Sequence, residues 1–155
     1  MPAVLVILGS KSDLEVGQKA VDTLRRFGAS AEIAVASAHR TPDRVRRLVE
    51  GSDADVFIAV AGLSAALPGA VASFTVKPVI GVPVSGNVNL DSILSIVQMT
   101  PGIPVAAVGI DRGDNAALLA LEILAVRDAK LRNRLLAHRK EMAEQVERDS
   151  EEVKG

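Results

Sequence analysis

Cysteine, tryptophan and tyrosine are absent from the 155 residues, and phenylalanine occurs only at Phe27, Phe57 and Phe74. Without cysteine there is no disulfide scaffold, no thiolate ligand for zinc or an iron–sulfur cluster and no cysteine nucleophile; the composition suits a reducing compartment. With only two histidines, a His-rich metal site is a poor fit. The scarcity of aromatic rings removes the stacking platforms on which single-stranded nucleic acids bind. Neither sign of charge dominates, since 18 Lys and Arg face 19 Asp and Glu for a formal net charge of −1. The electrostatic footprint of a nucleic-acid-binding protein is therefore missing, and no nucleic-acid partner is expected. Long hydrophobic runs are missing too: the apolar segments fall well short of the ~18 residues of a membrane span, so no membrane partner is expected. Met1-Pro2 leads directly into the apolar run from Ala3 to Leu8 with no cationic region or small-residue cleavage site, which reads as no signal peptide and a cytoplasmic protein.

What the chain does contain is aliphatic. Hydrophobic residues make up 48% of it, and a domain of this length buries roughly 68–70% of its unfolded surface without help from disulfides or metals. Five short runs rich in Val and Ile recur: Ala3 to Leu8, Ala31 to Ala36, Asp55 to Ala61, Pro78 to Val84 and Pro104 to Ile110. Each is apolar almost without interruption, the mark of parallel strands buried on both faces. Amphipathic stretches lie between them. Leu14 to Phe27 places Val16, Ala20, Val21, Leu24 and Phe27 near a 3.6-residue period, with Gly28 as a stop. Thr41-Pro42-Asp43 reads as a helix start, with Thr as the cap and Pro at the first helical position. A further helix is expected from about Asp114 to Leu124. Five βα units in series imply a three-layer α/β/α sandwich with right-handed crossovers.

The composition changes after Val126. From Arg127 to Gly155 both signs of charge are dense, and Leu131, Leu135, Met142 and Val146 form one stripe of an amphipathic helix. The expected organisation is a catalytic domain over residues 1–126 and a C-terminal helix over 127–155. Because the fifth unit already has its helix, this second apolar stripe is expected to pack on a neighbouring subunit.

In a doubly wound sheet the ligand sits beyond the carboxyl ends of the strands, so the loops after the strands should hold the site. The first loop is Gly9-Ser10-Lys11-Ser12-Asp13: Gly9 permits close backbone approach, a helix N-terminus offers N–H groups to an anion, and Asp13 suits sugar hydroxyls. The plain alternative is that Ser12 or Asp13 only caps the helix. The second loop, Ser37-Ala38-His39-Arg40-Thr41-Pro42, brings together a hydroxyl, an imidazole suited to proton transfer near neutral pH and a guanidinium able to clamp phosphate with paired donors. His138, in the charged tail, reads as solvated. The third loop, Gly62-Leu63-Ser64-Ala65-Ala66, resembles half of a nucleophile elbow but lacks the second Gly, which argues against a serine hydrolase. Its small residues would let the backbone approach a flat ligand. After the fourth strand come Ser85-Gly86-Asn87 and a segment from Asp91 to Met99, of which Gln98 and Met99 could line a pocket.

Taken together, GSKSD, SAHRTPDR, AGLSAALPG, KPVIGVPV, LDSILSIVQM and GIPVAAVGI, in this order from about Val4 to Leu124, resemble the N5-carboxyaminoimidazole ribonucleotide mutase family of de novo purine synthesis. The resemblance implies a flavodoxin-like five-stranded parallel sheet, a cytoplasmic homo-octamer with sites at subunit contacts, a phosphoribosyl aminoimidazole carbamate as substrate, and neither cofactor nor metal. It implies a carboxylate moved from the exocyclic nitrogen to ring carbon four through CO₂ held in a closed site. His39 matches the family's proton-transfer histidine. By the same matching Ser10 and Asp13 hold the ribose phosphate end and Arg40 pairs with the phosphate. Ser37 and Ala38 line the site, and Gly9, Ser12, Gly62 and Leu67 complete the expected substrate-binding set. The sequence departs from the family pattern at Leu14, where a Trp is usual, and in the third loop, where Leu63 replaces a Gly and Ala66 a His. Asn89 replaces the Gly of GLDS. Two other readings stand beside this one. A related class carboxylates aminoimidazole ribonucleotide with free CO₂, but its AGRSN pattern would place Arg where Leu63 stands. The other is a non-catalytic nucleotide-binding or receiver-like module on the same fold: a receiver would want an acidic cluster after the first strand, where Asp13 stands alone, and an acceptor Asp after the third, where Ala61-Gly62 stands, while a binding module would not need His39.

Overall fold

The computed structural model describes residues 3–154; Met1, Pro2 and Gly155, and with them the reading of the Met1-Pro2 start, lie outside the described residues. Five parallel strands, β1 (Val4–Leu8), β2 (Ala31–Val35), β3 (Val56–Ala61), β4 (Val79–Pro83) and β5 (Ala106–Ala107), form one sheet in the order β2-β1-β3-β4-β5. This is the flavodoxin-like order, and it puts a topological switch point between β1 and β3. The register aligns Leu8 with Val35 on one side and with Val60 on the other, so the first three strands end level and their loops emerge together.

The connecting helices are α1 (Leu14–Arg26), α2 (Pro42–Glu50), α3 (Leu67–Ser73), α4 (Asn89–Val97) and α5 (Gly113–Ala125), followed by α6 (Ala129–Lys154). Leu5, Ile7, Phe57, Ala59 and Val79 project from one face of the sheet into a core shared with Val45 and Val49 of α2, Leu67 and Val71 of α3 and Ile96 of α4. On the other face α1 lies so close to β1 that a Cβ on Gly17 would come within 2.4 Å of a Leu8 methyl. The start of α5 lies beside α1. Helices therefore cover both faces, as the alternation of strands and helices requires. Helix α1 ends where expected: Gly28 takes a φ of +77°, its N–H reaches Arg25 O at 2.9 Å and the next N–H reaches Leu24 O at 3.0 Å, the paired closure of a glycine C-cap.

Full burial on both faces holds for β1, β3 and β4 but not for the edges. Strand β2 leaves Ile33 and Val35 36% and 43% exposed, and β5 shrinks to two exposed residues. An edge strand has one neighbour instead of two, and the Pro104 of the expected fifth run cannot donate to a ladder. The chain divides into two compact units between Ala120 and Leu121, inside α5. In the second unit Leu131 and Leu135 of α6 are buried, whereas Met142 and Val146 of the same stripe are 54% and 65% exposed. His138 is half-buried, not the freely solvated residue expected.

Candidate active site

The loop after β1 turns through a short 3-10 helix, Lys11–Asp13, before α1 begins. Ser10 caps this turn: its hydroxyl lies 3.4 Å from the Ser12 N–H and 3.1 Å from the Ser12 hydroxyl. Asp13 closes the box from the other side, its carboxylate accepting the Ser10 N–H at 3.1 Å. The capping alternative is thus real in a different form, with Ser10 as the cap and Asp13 reaching back, while neither Ser12 nor Asp13 makes a side-chain cap to α1. Asp13 is only 6% exposed. Burial pushes its carboxyl above the usual aspartate value, against the smaller opposing pull of the Ser10 N–H. The Asp13 carboxylate, besides accepting the Ser10 N–H, borders the cleft between the loops.

Past β2 the chain makes a tight turn through Ala38 to Arg40. Thr41 does not cap α2 with its side chain. Its hydroxyl instead accepts the Ser37 N–H at 2.9 Å and donates to Ser37 O at 3.2 Å, closing the loop on itself. Ser37 Oγ in turn accepts from the Arg40 N–H at 3.1 Å and from its Nε at 3.3 Å. The far end of the guanidinium donates to Gly9 O at 3.3 Å and so bridges the first loop and the second. Arg40 is exposed, and these two side-chain bonds fix the orientation of its planar guanidinium, a group able to pair with a carboxylate or phosphate. His39, beside it, is exposed and turned to the same cleft.

The third loop enters the left-handed region at Ser64, with φ at +48°, and the Ala66 N–H bonds back to Ser64 O. The Asp91 carboxylate accepts the Ser64 N–H at 2.7 Å. In the fourth loop the Ser85 N–H donates to Asp111 at 2.8 Å and the Gly86 N–H to Asn89 at 2.8 Å. The four loops line an open cleft of about 720 Å³ outside the carboxyl ends of the strands, within the size range of small-ligand sites. All ten residues of the expected proton-transfer and substrate-binding set line it: Gly9, Ser10, Ser12 and Asp13 from the first loop, Ser37, Ala38, His39 and Arg40 from the second, and Gly62 and Leu67 from the third. Ala61, the Leu63 to Ala66 segment and the Val84 to Val88 segment complete the wall. Gln98 and Met99 do not line it: Gln98 is exposed at the end of α4, and Met99 packs 3.3 Å from where a Gly69 Cβ would stand on α3. Asp111 was not visible as a site residue, and Asp91 was visible only as part of a block; the signals are an acidic residue shortly after β5 for Asp111 and one in the first turn of α4 for Asp91. Among the described residues no group of three or more His, Asp or Glu is placed to hold a metal ion, and no helix is long and apolar enough to cross a membrane.

A flavodoxin-like sheet with a cleft at its switch point, walled by small and aliphatic side chains together with hydroxyls, one imidazole and one guanidinium, has the form of a small-ligand site of the α/β class. The chain belongs to the family described as AIR carboxylase, whose model matches residues 3–145. It is 56% identical over 152 residues to the N5-carboxyaminoimidazole ribonucleotide mutase of Methanocaldococcus jannaschii, covering 97% of each chain. To the mutase of the same name from Pyrococcus abyssi it is 50% identical over 147 residues, 92% of this chain and 84% of that one. Among solved structures it is similar to the crystal structure of Treponema denticola PurE with a TM-score of 0.91, at 29% identity and over 100% of both chains.

Proposed function

We infer that the protein is an N5-carboxyaminoimidazole ribonucleotide mutase, an isomerase that moves the carboxylate from the exocyclic nitrogen to ring carbon four and yields 4-carboxy-5-aminoimidazole ribonucleotide for purine biosynthesis. The observation that carries the reading is the closure of the His39-Arg40 loop on the Ser10–Asp13 loop through Arg40 and Gly9 O, in a chain 56% identical to a protein of that name. Arg40 and the hydroxyl groups of Ser10 and Ser12 take the phosphate, Asp13 takes the ribose hydroxyls, and Gly9 lets the sugar approach the backbone. The ring then extends toward Ser37, Ala38, Gly62 and Leu67.

The chemistry asked of these groups is modest. The N–C bond of the carbamate breaks to release CO₂ and the nitrogen takes a proton. The enamine-like ring carbon attacks the retained CO₂, and the proton on carbon four leaves. One proton is gained and one lost, so a single group shuttling a proton is sufficient, and His39 is that group. Retaining CO₂ beside the nucleophilic carbon supplies the proximity advantage, and a closed cleft keeps water from the intermediate. No cofactor or metal is required for this sequence of steps.

One observation favours a second reading, direct carboxylation of aminoimidazole ribonucleotide by free CO₂: Ala66 leaves the third loop without the imidazole that the mutase pattern carries there. The two readings separate in a paired assay without ATP, one sample receiving the carbamate at low CO₂, the other aminoimidazole ribonucleotide with bicarbonate and carbonic anhydrase. Faster product from the carbamate supports the mutase, turnover only with CO₂ makes the protein a carboxylase, and silence in both favours a binding module.

The working form is a homo-octamer with residues 127–155 as an assembly arm. Two apolar stripes support this: Leu90, Leu94 and Val97 on α4, from 42% to 66% exposed, and Met142 and Val146 on α6. Light scattering checks it, since a monomer at micromolar concentration removes the proposal. A phosphorylated substrate does not cross a bilayer unaided, which supports a cytoplasmic reaction.

A further inference from the structure

Two of the four site loops are tied to one place, the first turn of α4. The Asp91 carboxylate accepts the Ser64 N–H of the third loop at 2.7 Å, across 27 residues of chain. Asn89 Oδ1 accepts the Gly86 N–H of the fourth loop at 2.8 Å. Ser92, 1% exposed, donates to Asn89 O at 2.9 Å and lies 3.4 Å from Val84 O, anchoring the turn to the end of β4. Neither Asn89 nor Asp91 lines the cleft, and neither caps α4, whose N-cap is Val88 with no side-chain cap bond. An acidic residue in a first turn ordinarily serves the helix dipole. Asp91 instead makes a short, charge-assisted hydrogen bond to a distant backbone. The residue it holds, Ser64, sits at a φ of +48°, a region that side chains other than glycine rarely occupy. Within the loop the Ala66 N–H bonds back to Ser64 O, and from outside it Asp91 supplies the bond to the Ser64 N–H.

We propose that Asp91 is a positioning residue for the reaction: by fixing Ser64 in its left-handed conformation it sets the backbone of Gly62 to Leu67 against the reacting end of the substrate, while Asn89 sets the facing loop. Asp91 acts through the loop and touches no substrate. The proposal rests on the mutase reading for its activity readout, and on hydrogen exchange for a readout independent of that reading.

The test uses the full chain with the carbamate substrate and the variants D91A and D91N. Misplacement by about 1 Å costs on the order of 100-fold in a proximity-driven reaction, so D91A should lose about 10- to 100-fold in kcat with KM changed less than about threefold, because the phosphate end is held by other loops. Asn retains an acceptor oxygen, and D91N should recover most of the loss. The Ser64 amide should exchange fast in D91A and at an intermediate rate in D91N, with kcat falling in the same order. Wild-type kcat in D91A, an Asn variant no better than Ala, or fast Ser64 exchange without loss of kcat would each overturn the proposal. If D91A fails to fold, D91N decides alone: exchange and kcat shifting together support the assignment, and exchange shifting without kcat removes it. A wild-type protein inactive on the carbamate would sink the mutase reading, while Ser64 exchange would still report whether Asp91 holds the loop.

Discussion

Replacing His39 by Asn removes the one group to which both proton transfers are assigned. A positioned acid or base contributes about 10²- to 10⁴-fold, and since both transfers fall to one side chain the upper half of that range applies. At about 1.36 kcal/mol per tenfold, a loss of 10³ to 10⁴ is about 4–5.4 kcal/mol of transition-state stabilisation. Stability should hardly respond, because His39 is exposed and its loop is closed by Thr41, Ser37 and Arg40 without it. Exposed substitutions of this kind stay within about 0.5 kcal/mol, and for a chain of this size that moves the melting midpoint by no more than about 2 °C. Product binding should also survive, since the phosphate and ribose contacts lie on other residues. The assay follows formation of the carboxylated imidazole by absorbance, with kcat and KM separated, beside a thermal melt and calorimetric binding of product. A variant whose kcat stays within tenfold of wild type would refute the reasoning, and one that loses product binding in parallel would show that His39 works by holding the ligand.

Arg40→Lys keeps the charge but loses the planar fork that reaches Ser37 Oγ and Gly9 O; with charged hydrogen bonds contributing about 1.5–3 kcal/mol each, KM should rise roughly tenfold or more with a smaller effect on kcat, as steady-state kinetics will read. Burial raises the Asp13 carboxyl, so between its ordinary value of 3.8 and the raised one the folded chain holds more proton than the unfolded chain. Stability therefore falls as pH rises through that window, and at higher pH the buried charge weighs against the fold. Asp13→Asn should raise the melting midpoint at pH 7 and flatten the acid-side dependence while weakening ribonucleotide binding, which melts across pH 3–8 and calorimetry would reveal. Gly113→Ala would put a Cβ 2.0 Å from the Val16 carbonyl oxygen, a backbone clash that no rotamer relieves; it should cost about 1–3 kcal/mol in denaturant unfolding.

The parts of the fold that were legible are those fixed by local pattern. Strands β1, β3 and β4 read as unbroken apolar runs because helices bury both of their faces, and α1 announced its own end through Gly28. The fifth strand was overstated because an apolar run says nothing about how many neighbours a strand has. Helix α3 was not read at all, since Pro68 and Gly69 look like breakers; Pro68 falls in the first turn, where a missing N–H costs nothing. In the cleft, the Ser37 to Arg40 and Gly9 to Asp13 loops were legible because each concentrates its chemistry in five residues or fewer. The clamps were not. Asp91 and Asp111 act on backbone N–H groups 27 and 26 positions away, and no spacing rule links a carboxylate to a loop brought to it by the crossover of a parallel sheet.

The central claim is that the carboxylate moves within one closed site. The most direct measurement supplies the carbamate with ¹³C in its carboxylate to the purified protein in unlabelled bicarbonate with carbonic anhydrase, and follows the label by NMR as product forms. The account predicts that the new carboxylate on ring carbon four retains the ¹³C during the first turnovers. Product carrying unlabelled carbon from the solvent pool would contradict it, and would mean that the cleft takes its CO₂ from outside.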